Sequence, residues 1–276
     1  MASQLPGRPE LDLDQSTESC WFPFASSGRP ALYYLHDVSG SVLQAAHLAR
    51  ELAGQVDLVG FQAFGLSWDR PPDLTVEDMA RRYLAVLQAQ DPVGPYHLIG
   101  YSMGALVAFE MAAQAQRQAA VSVNRVVMID PPPPASIAAP GQVAVVTALA
   151  RSLGLFEFEA PDSDNVEDLL GELVRQGVAA ELLPPDYSVE DLRPAVAVRW
   201  ANAQAAARYR PGRPITGPIS IISARAERLP SQVEGWAPHT DQPIEGQLVD
   251  SDHFAIVAPA HAAAVAAAIR GWLAET

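Results

Sequence analysis

Tyr96-His97-Leu98-Ile99-Gly100-Tyr101-Ser102-Met103-Gly104-Ala105 decides the reading of this chain. Its centre, Gly100 to Gly104, is a G-x-S-x-G pattern. In that pattern the serine sits on a strained turn between a strand and a helix, with its hydroxyl raised above the end of a sheet. The glycines serve the geometry, because side chains beside the serine would collide with the neighbouring strand and helix. The context agrees: Tyr96–Ile99 is a short apolar run of strand type, and Ala105–Met111 continues as a helix. Ser102 is therefore the candidate nucleophile.

Outward from the serine, strand and helix patterns alternate. Ala31–His36, Val56–Phe61, Arg125–Asp130, Pro218–Ser223 and Glu245–Val249 read as further strands. Ser41–Gly54, Thr75–Gln90 and Met103–Arg117 read as helices, and Thr75 with Asp78 has the spacing of a capping box. A terminal helix is expected from near Pro259. This order predicts an α/β fold with a mostly parallel central sheet and helices on both faces. One stretch breaks the alternation. After Asp130 come Pro131–Pro134, a stiff run without N–H donors, and then only helical patterns: Gly141–Leu153, Asn165–Gln176 and Ser188–Tyr209. Residues 134–209 are expected to form a helical lid over the sheet edge where ligands bind in such folds. Phe156 and Trp200 are its candidate substrate contacts. Residues 1–21 are expected to be a linker or tail, and 22–276 the folded domain.

A serine nucleophile needs a base, and the base needs an orienting acid. Three histidines follow Ser102. His239 stands in a proline-flanked stretch with no strand before it, and His261 falls within the alanine-rich terminal helix. His253 follows the last strand, in a loop that reaches the same edge as Ser102, and is the expected base. Two loops offer an acid. Asp130 closes the strand after the nucleophile helix, and Glu227 follows the next strand. Asp130 is preferred for its place beside the nucleophile. Asp252 is too near His253 in sequence to orient it and is read as a solvated loop residue.

Composition bounds the remaining choices. The 276 residues carry a net charge of −14, and all 18 basic residues are arginine. No basic face for a phosphate backbone is present, so no nucleic-acid partner is expected. Without lysine, Schiff-base chemistry is excluded. No long apolar run is a candidate membrane span, and the N-terminus lacks a secretory pattern. A single cysteine, Cys20, fits a cytoplasmic protein and is read as a structural thiol.

The chain resembles the thioesterase domains that end nonribosomal peptide synthetases and modular polyketide synthases, members of the α/β-hydrolase superfamily. Gly94-Pro95-Tyr96-His97-Leu98-Ile99-Gly100-Tyr101-Ser102-Met103-Gly104-Ala105 is similar to that family's nucleophile block. Tyr209-Arg210-Pro211 with Gly217-Pro218-Ile219 resembles the exit from its lid, and Asp252-His253-Phe254 its histidine loop. The matching stretches cover most of residues 22–276. The resemblance implies Asp130 as the acid, and the backbone N–H groups of Met103 and Val38 as the oxyanion hole. It implies release of an acyl, peptidyl or polyketide chain from the phosphopantetheine of a carrier protein, through an acyl-serine, by hydrolysis or cyclisation. The expected partner is an acyl or peptidyl carrier protein fused upstream. No metal and no resident cofactor are implied. A stand-alone editing thioesterase is the alternative reading, and a ligand-binding module without catalysis a remote one. Where the family often has His-Pro-x-Gly-Gly, this chain has His36-Asp37-Val38-Ser39-Gly40. The Asp37 carboxylate would oppose an oxyanion unless it points away, and His36 is read as structural.

Overall fold

Alternating apolar side chains place two helical layers on one sheet. The computed structural model describes residues 20–66, 70–118, 121–225 and 228–273. Seven strands are formed: β1 (Trp21–Pro23), β2 (Ala31–Leu35), β3 (Asp57–Phe61), β4 (Tyr96–Tyr101), β5 (Val123–Ile129), β6 (Ile219–Ser223) and β7 (Glu245–Leu248). Their order across the sheet is β1-β3-β2-β4-β5-β6-β7. The short β1 runs antiparallel to β3, and the other neighbours are parallel. The expected strands all form, with ends moved by one to a few residues. Strand β1 was not anticipated. It and the buried Cys20 belong to the body, so the expected linker enters the fold by residue 20, while residues 1–19 lie outside the described residues.

The helices are α1 (Ala45–Leu52), α2 (Val76–Gln90), α3 (Gly104–Gln118), α4 (Gln142–Ser152), α5 (Val166–Ala179), α6 (Val189–Arg208), α7 (Leu229–Trp236) and α8 (Pro259–Leu273). Period-2 side chains divide the core between the two faces. Tyr33, Leu35, Leu98, Val126 and Met128 meet Met79 and Tyr83 of α2 and Phe109 of α3. Leu32, Tyr34, Ile99, Val127 and Ile129 meet Leu48 and Leu52 of α1 and Val265 and Ile269 of α8. Each such fully buried side chain contributes about 1.5–3 kcal/mol. Helix α2 starts as its sequence predicts, with Thr75 Oγ1 accepting from the Asp78 N–H at 3.0 Å.

The insertion between β5 and β6 has a core of its own. Val146 and Leu149 of α4, Leu169, Leu170 and Leu173 of α5, and Leu192 of α6 form a separate apolar cluster. Helix α6 changes allegiance along its length. Ala205, Ala206 and the C-cap Tyr209 join the main core, and Tyr209 Oη donates to buried Glu110 of α3 at 2.8 Å. The end of the stretch read as a lid is thus anchored in the body, and the separately packed part is α4, α5 and the start of α6. The proline run is clamped too. Pro131 and Pro132 have no N–H, but their carbonyls accept from Gln232 Nε2 (3.0 Å) and Trp236 Nε1 (3.1 Å) of α7. Among the described residues, no helix is long and apolar enough to cross a membrane.

Candidate active site

Three strand ends deliver the site. β4 runs directly into Ser102, whose φ of +54° is a left-handed conformation rare outside glycine. Its N–H donates to Ile129 O at 2.9 Å, so the turn is fastened to the end of β5. The motif glycines are required by contact. A Cβ on Gly100 would lie 2.2 Å from Gly104 O, and one on Gly104 would lie 2.4 Å from Leu35 O. Asp130 follows β5 with φ +42°, its N–H donating to Ile222 O at 2.7 Å. Two left-handed non-glycine residues, each costing about 1–3 kcal/mol, meet at one edge.

His253 comes from the loop after β7. Asp252 accepts from the Phe254 and Ala255 N–H groups, both at 2.9 Å, and so shapes that loop. These two donors hold its carboxyl below the usual range. It is therefore more than the solvated residue expected from sequence. Tyr101 Oη donates to the His253 carbonyl at 2.6 Å, and the two rings lie 5.3 Å apart. The imidazole bridges the remaining pair: Nε2 is 3.0 Å from Ser102 Oγ, and Nδ1 is 2.5 Å from Asp130 Oδ2. His239 stands elsewhere, against Phe109 and Trp236, and burial lowers its pKa. His261 lies in α8. Glu227, the rival acid, lies outside the described residues.

Asp130 is fully buried and carries four donors. Oδ2 takes His253 and Arg228 Nη1, while Oδ1 takes Gln232 Nε2 (2.9 Å) and the Ala224 N–H (3.1 Å). Burial alone would raise its pKa. The bonds from His253, Gln232 and Ala224 outweigh burial and hold the carboxyl below its ordinary value. Arg228 and Gln232 escaped sequence reasoning. They sit at and in α7, an eight-residue helix that the sequence reading did not anticipate.

The loop after β2 lies against the nucleophile turn. Asp37 turns its carboxylate into its own loop, where Oδ1 accepts from the Ser39 N–H (2.9 Å) and hydroxyl. His36 is buried, with Nδ1 2.7 Å from Asp37 O and Nε2 2.8 Å from Tyr83 Oη, and burial lowers its pKa. Met103 immediately precedes α3, whose Ala105 and Leu106 N–H groups turn back to Ser102 O (3.1 Å) and Met103 O (2.9 Å). Val38, in the other loop, is partly buried. The two candidate substrate contacts fare differently. Phe156, in the turn after α4, is 75% exposed, whereas Trp200 is half-buried on α6. Cys20 is no rival nucleophile, since burial pushes its thiol up to about 12.

Comparison with known proteins places this geometry in a family context. The family model described as Thioesterase domain matches residues 30–273. The dimodular nonribosomal peptide synthase of Bacillus subtilis (strain 168) is 29% identical over 263 residues, 90% of this chain and 11% of that protein. The indigoidine synthase of Streptomyces lavendulae is 28% identical over 222 residues, 75% of this chain and 17% of that protein. The chain thus spans only a small part of these relatives. Among solved structures, a four-domain nonribosomal peptide synthetase bound to AMP and glycine superposes with a TM-score of 0.80 at 24% identity, over 92% of this chain and 20% of that one. The type II thioesterase BorB from the borrelidin biosynthetic cluster gives 0.66 at 23% identity, over 92% and 97%. These likenesses concern the fold, which is that of the α/β-hydrolases.

Proposed function

Because the chain belongs to the thioesterase domain family, we propose that it releases an acyl or peptidyl chain from a carrier-bound phosphopantetheine thioester through an acyl-Ser102 intermediate. The observation carrying this reading is the relay in which His253 lies 3.0 Å from Ser102 Oγ and 2.5 Å from buried Asp130. His253 Nε2 takes the Ser102 proton as Oγ attacks the thioester carbonyl. Asp130 keeps the imidazole in the required tautomer and stabilises the cation that forms. The Met103 and Val38 N–H groups are the proposed oxyanion donors, each such donor being worth about 3–4 kcal/mol. Collapse breaks the C–S bond, and the pantetheine thiol leaves with the proton from His253. Water or a nucleophile within the chain then attacks the ester, giving an acid or a ring.

The names of the relatives support a megasynthase context, with a carrier protein as partner. The alternative is a stand-alone editing enzyme. Trp200 remains the better candidate acyl contact, being half-buried where Phe156 is exposed. One assay separates the readings. The chain is given holo-carrier proteins loaded either with acetyl or with a long acyl or peptidyl group. A chain-releasing enzyme has a kcat/KM at least about tenfold higher for the long group. Preference for acetyl favours editing, and absence of turnover on both refutes the proposal.

A further inference from the structure

Helix α6 of the insertion reaches the loop that the proposed mechanism uses for its oxyanion hole. Asn202, 1% exposed, donates from Nδ2 to the Val38 carbonyl at 3.2 Å. One turn earlier, buried Val198 covers Gly40. A Cβ on Gly40 would lie 2.5 Å from Val198 Cγ1, and its φ of +80° also favours glycine. Contact and backbone conformation together let helix and loop meet at this spot.

Other bonds tie down the rest of the loop. The Gly40 N–H donates to Asp37 O (3.0 Å), and the Ala63 N–H donates to Gly40 O (2.8 Å). Asp37 Oδ1 accepts from the Ser39 N–H, and His36 bonds Asp37 O. Among the described residues, the bond to the Val38 carbonyl comes from Asn202. The Val38 carbonyl and N–H lie on adjacent peptide planes that hinge at one Cα. The plane of the Val38 N–H is held at the Asp37 carbonyl by the Gly40 N–H and His36, and the Asn202 bond fixes the plane on the other side of the Cα, so the aim of the N–H is set from both sides. Oxyanion donors work only when aimed in advance, and a displacement of about 1 Å costs about a hundredfold in rate.

We propose that Asn202 is a positioning residue. By holding the Val38 carbonyl from α6, it makes the aim of the Val38 N–H depend on the insertion being seated. Turnover is thereby linked to the seating of α6 against this loop, although no insertion residue joins the relay. The proposal rests on the thioesterase reading above and deepens it. An Asn202 that merely filled the interface would affect stability without separating kcat from KM.

The test uses Asn202→Asp, which keeps the volume but withdraws the donor, and Asn202→Leu. Acyl-N-acetylcysteamine thioesters report kcat and KM, a fluorophosphonate reports the labelling rate of Ser102, and thermal melting reports folding. The expected result is a fall of about tenfold or more in kcat and in labelling rate, with KM within about threefold of wild type. A folded variant that keeps wild-type kcat overturns the proposal. Should both variants unfold, Val198→Ala loosens the same seat and must lower kcat with KM retained; unchanged kcat there also overturns it. Failure of the wild type itself to label or turn over would instead refute the underlying reading of Ser102.

Discussion

Asp130 concentrates the site's electrostatics in one carboxylate. It is fully buried yet accepts from His253, Arg228, Gln232 and the Ala224 N–H, and the net result is a lowered pKa. Since the folded-state carboxyl titrates below its unfolded value of about 3.9, it contributes stability above that pH. The contribution is lost as pH falls towards the folded value. Thermal melts of wild type and Asp130→Asn from pH 6 downward should show a shallower decline for the variant below about pH 4. Parallel curves would contradict this account of the carboxylate. The same variant should lower kcat by about a thousandfold or more, as expected when the orienting acid is lost. Little loss would move the acid to another loop. At this scale the grouping of Ser102, Asp130 and His253 could be anticipated from sequence, because Ser102 and Asp130 each follow a strand directly and His253 lies in the loop after the last strand. Arg228 and Gln232 could not, since their partner is reached through tertiary packing. Asn202 left one trace: a polar side chain on an alanine-rich helix face, one turn after Val198.

Among elements, the strand–turn–helix of β4 and α3 has the least tolerance for change. Gly104→Ala would put a methyl 2.4 Å from Leu35 O and 2.6 Å from His36 O, both backbone atoms that cannot move aside independently. A loss of about 2 kcal/mol or more is expected, together with loss of turnover. Gly171 in α5 has open space where a Cβ would go. Gly171→Ala should therefore stabilise the protein by about 0.5–1 kcal/mol. Denaturant melts measure both, and a tolerated Gly104→Ala would remove the steric argument for the motif. The apolar strands were legible as short continuous apolar runs, aromatic in β2 and β-branched in β5 and β6. Strand β1 was not, since its three residues sit at the sheet edge and show no alternation. That an insertion of helices interrupts the alternation between β5 and β6 was legible from the prolines and the helical patterns after them. The seating of its last helix was not, because alanines in the main core and alanines facing solvent look alike in a sequence.

At the scale of the whole molecule, the protein is one sheet with two helical layers and an insertion that packs partly on itself. The cluster of α4, α5 and the start of α6 packs apart from the main core, whereas Tyr209 and the end of α6 belong to it. Hydrogen exchange should therefore be faster in 142–179 than in β4 and β5, by an order of magnitude or more, and should slow when a non-hydrolysable acyl-pantetheine analogue binds. Equal protection with no response to the analogue would make the insertion a rigid cap.

Turnover is proposed to pass through an ester between the acyl group and Ser102. Rapid acid quench of the enzyme with an acyl-N-acetylcysteamine thioester, followed by peptide mass analysis, would catch that ester. One added acyl mass is expected on the peptide containing Ser102, absent from Ser102→Ala. An acyl group on another residue, or full turnover by Ser102→Ala, would contradict it.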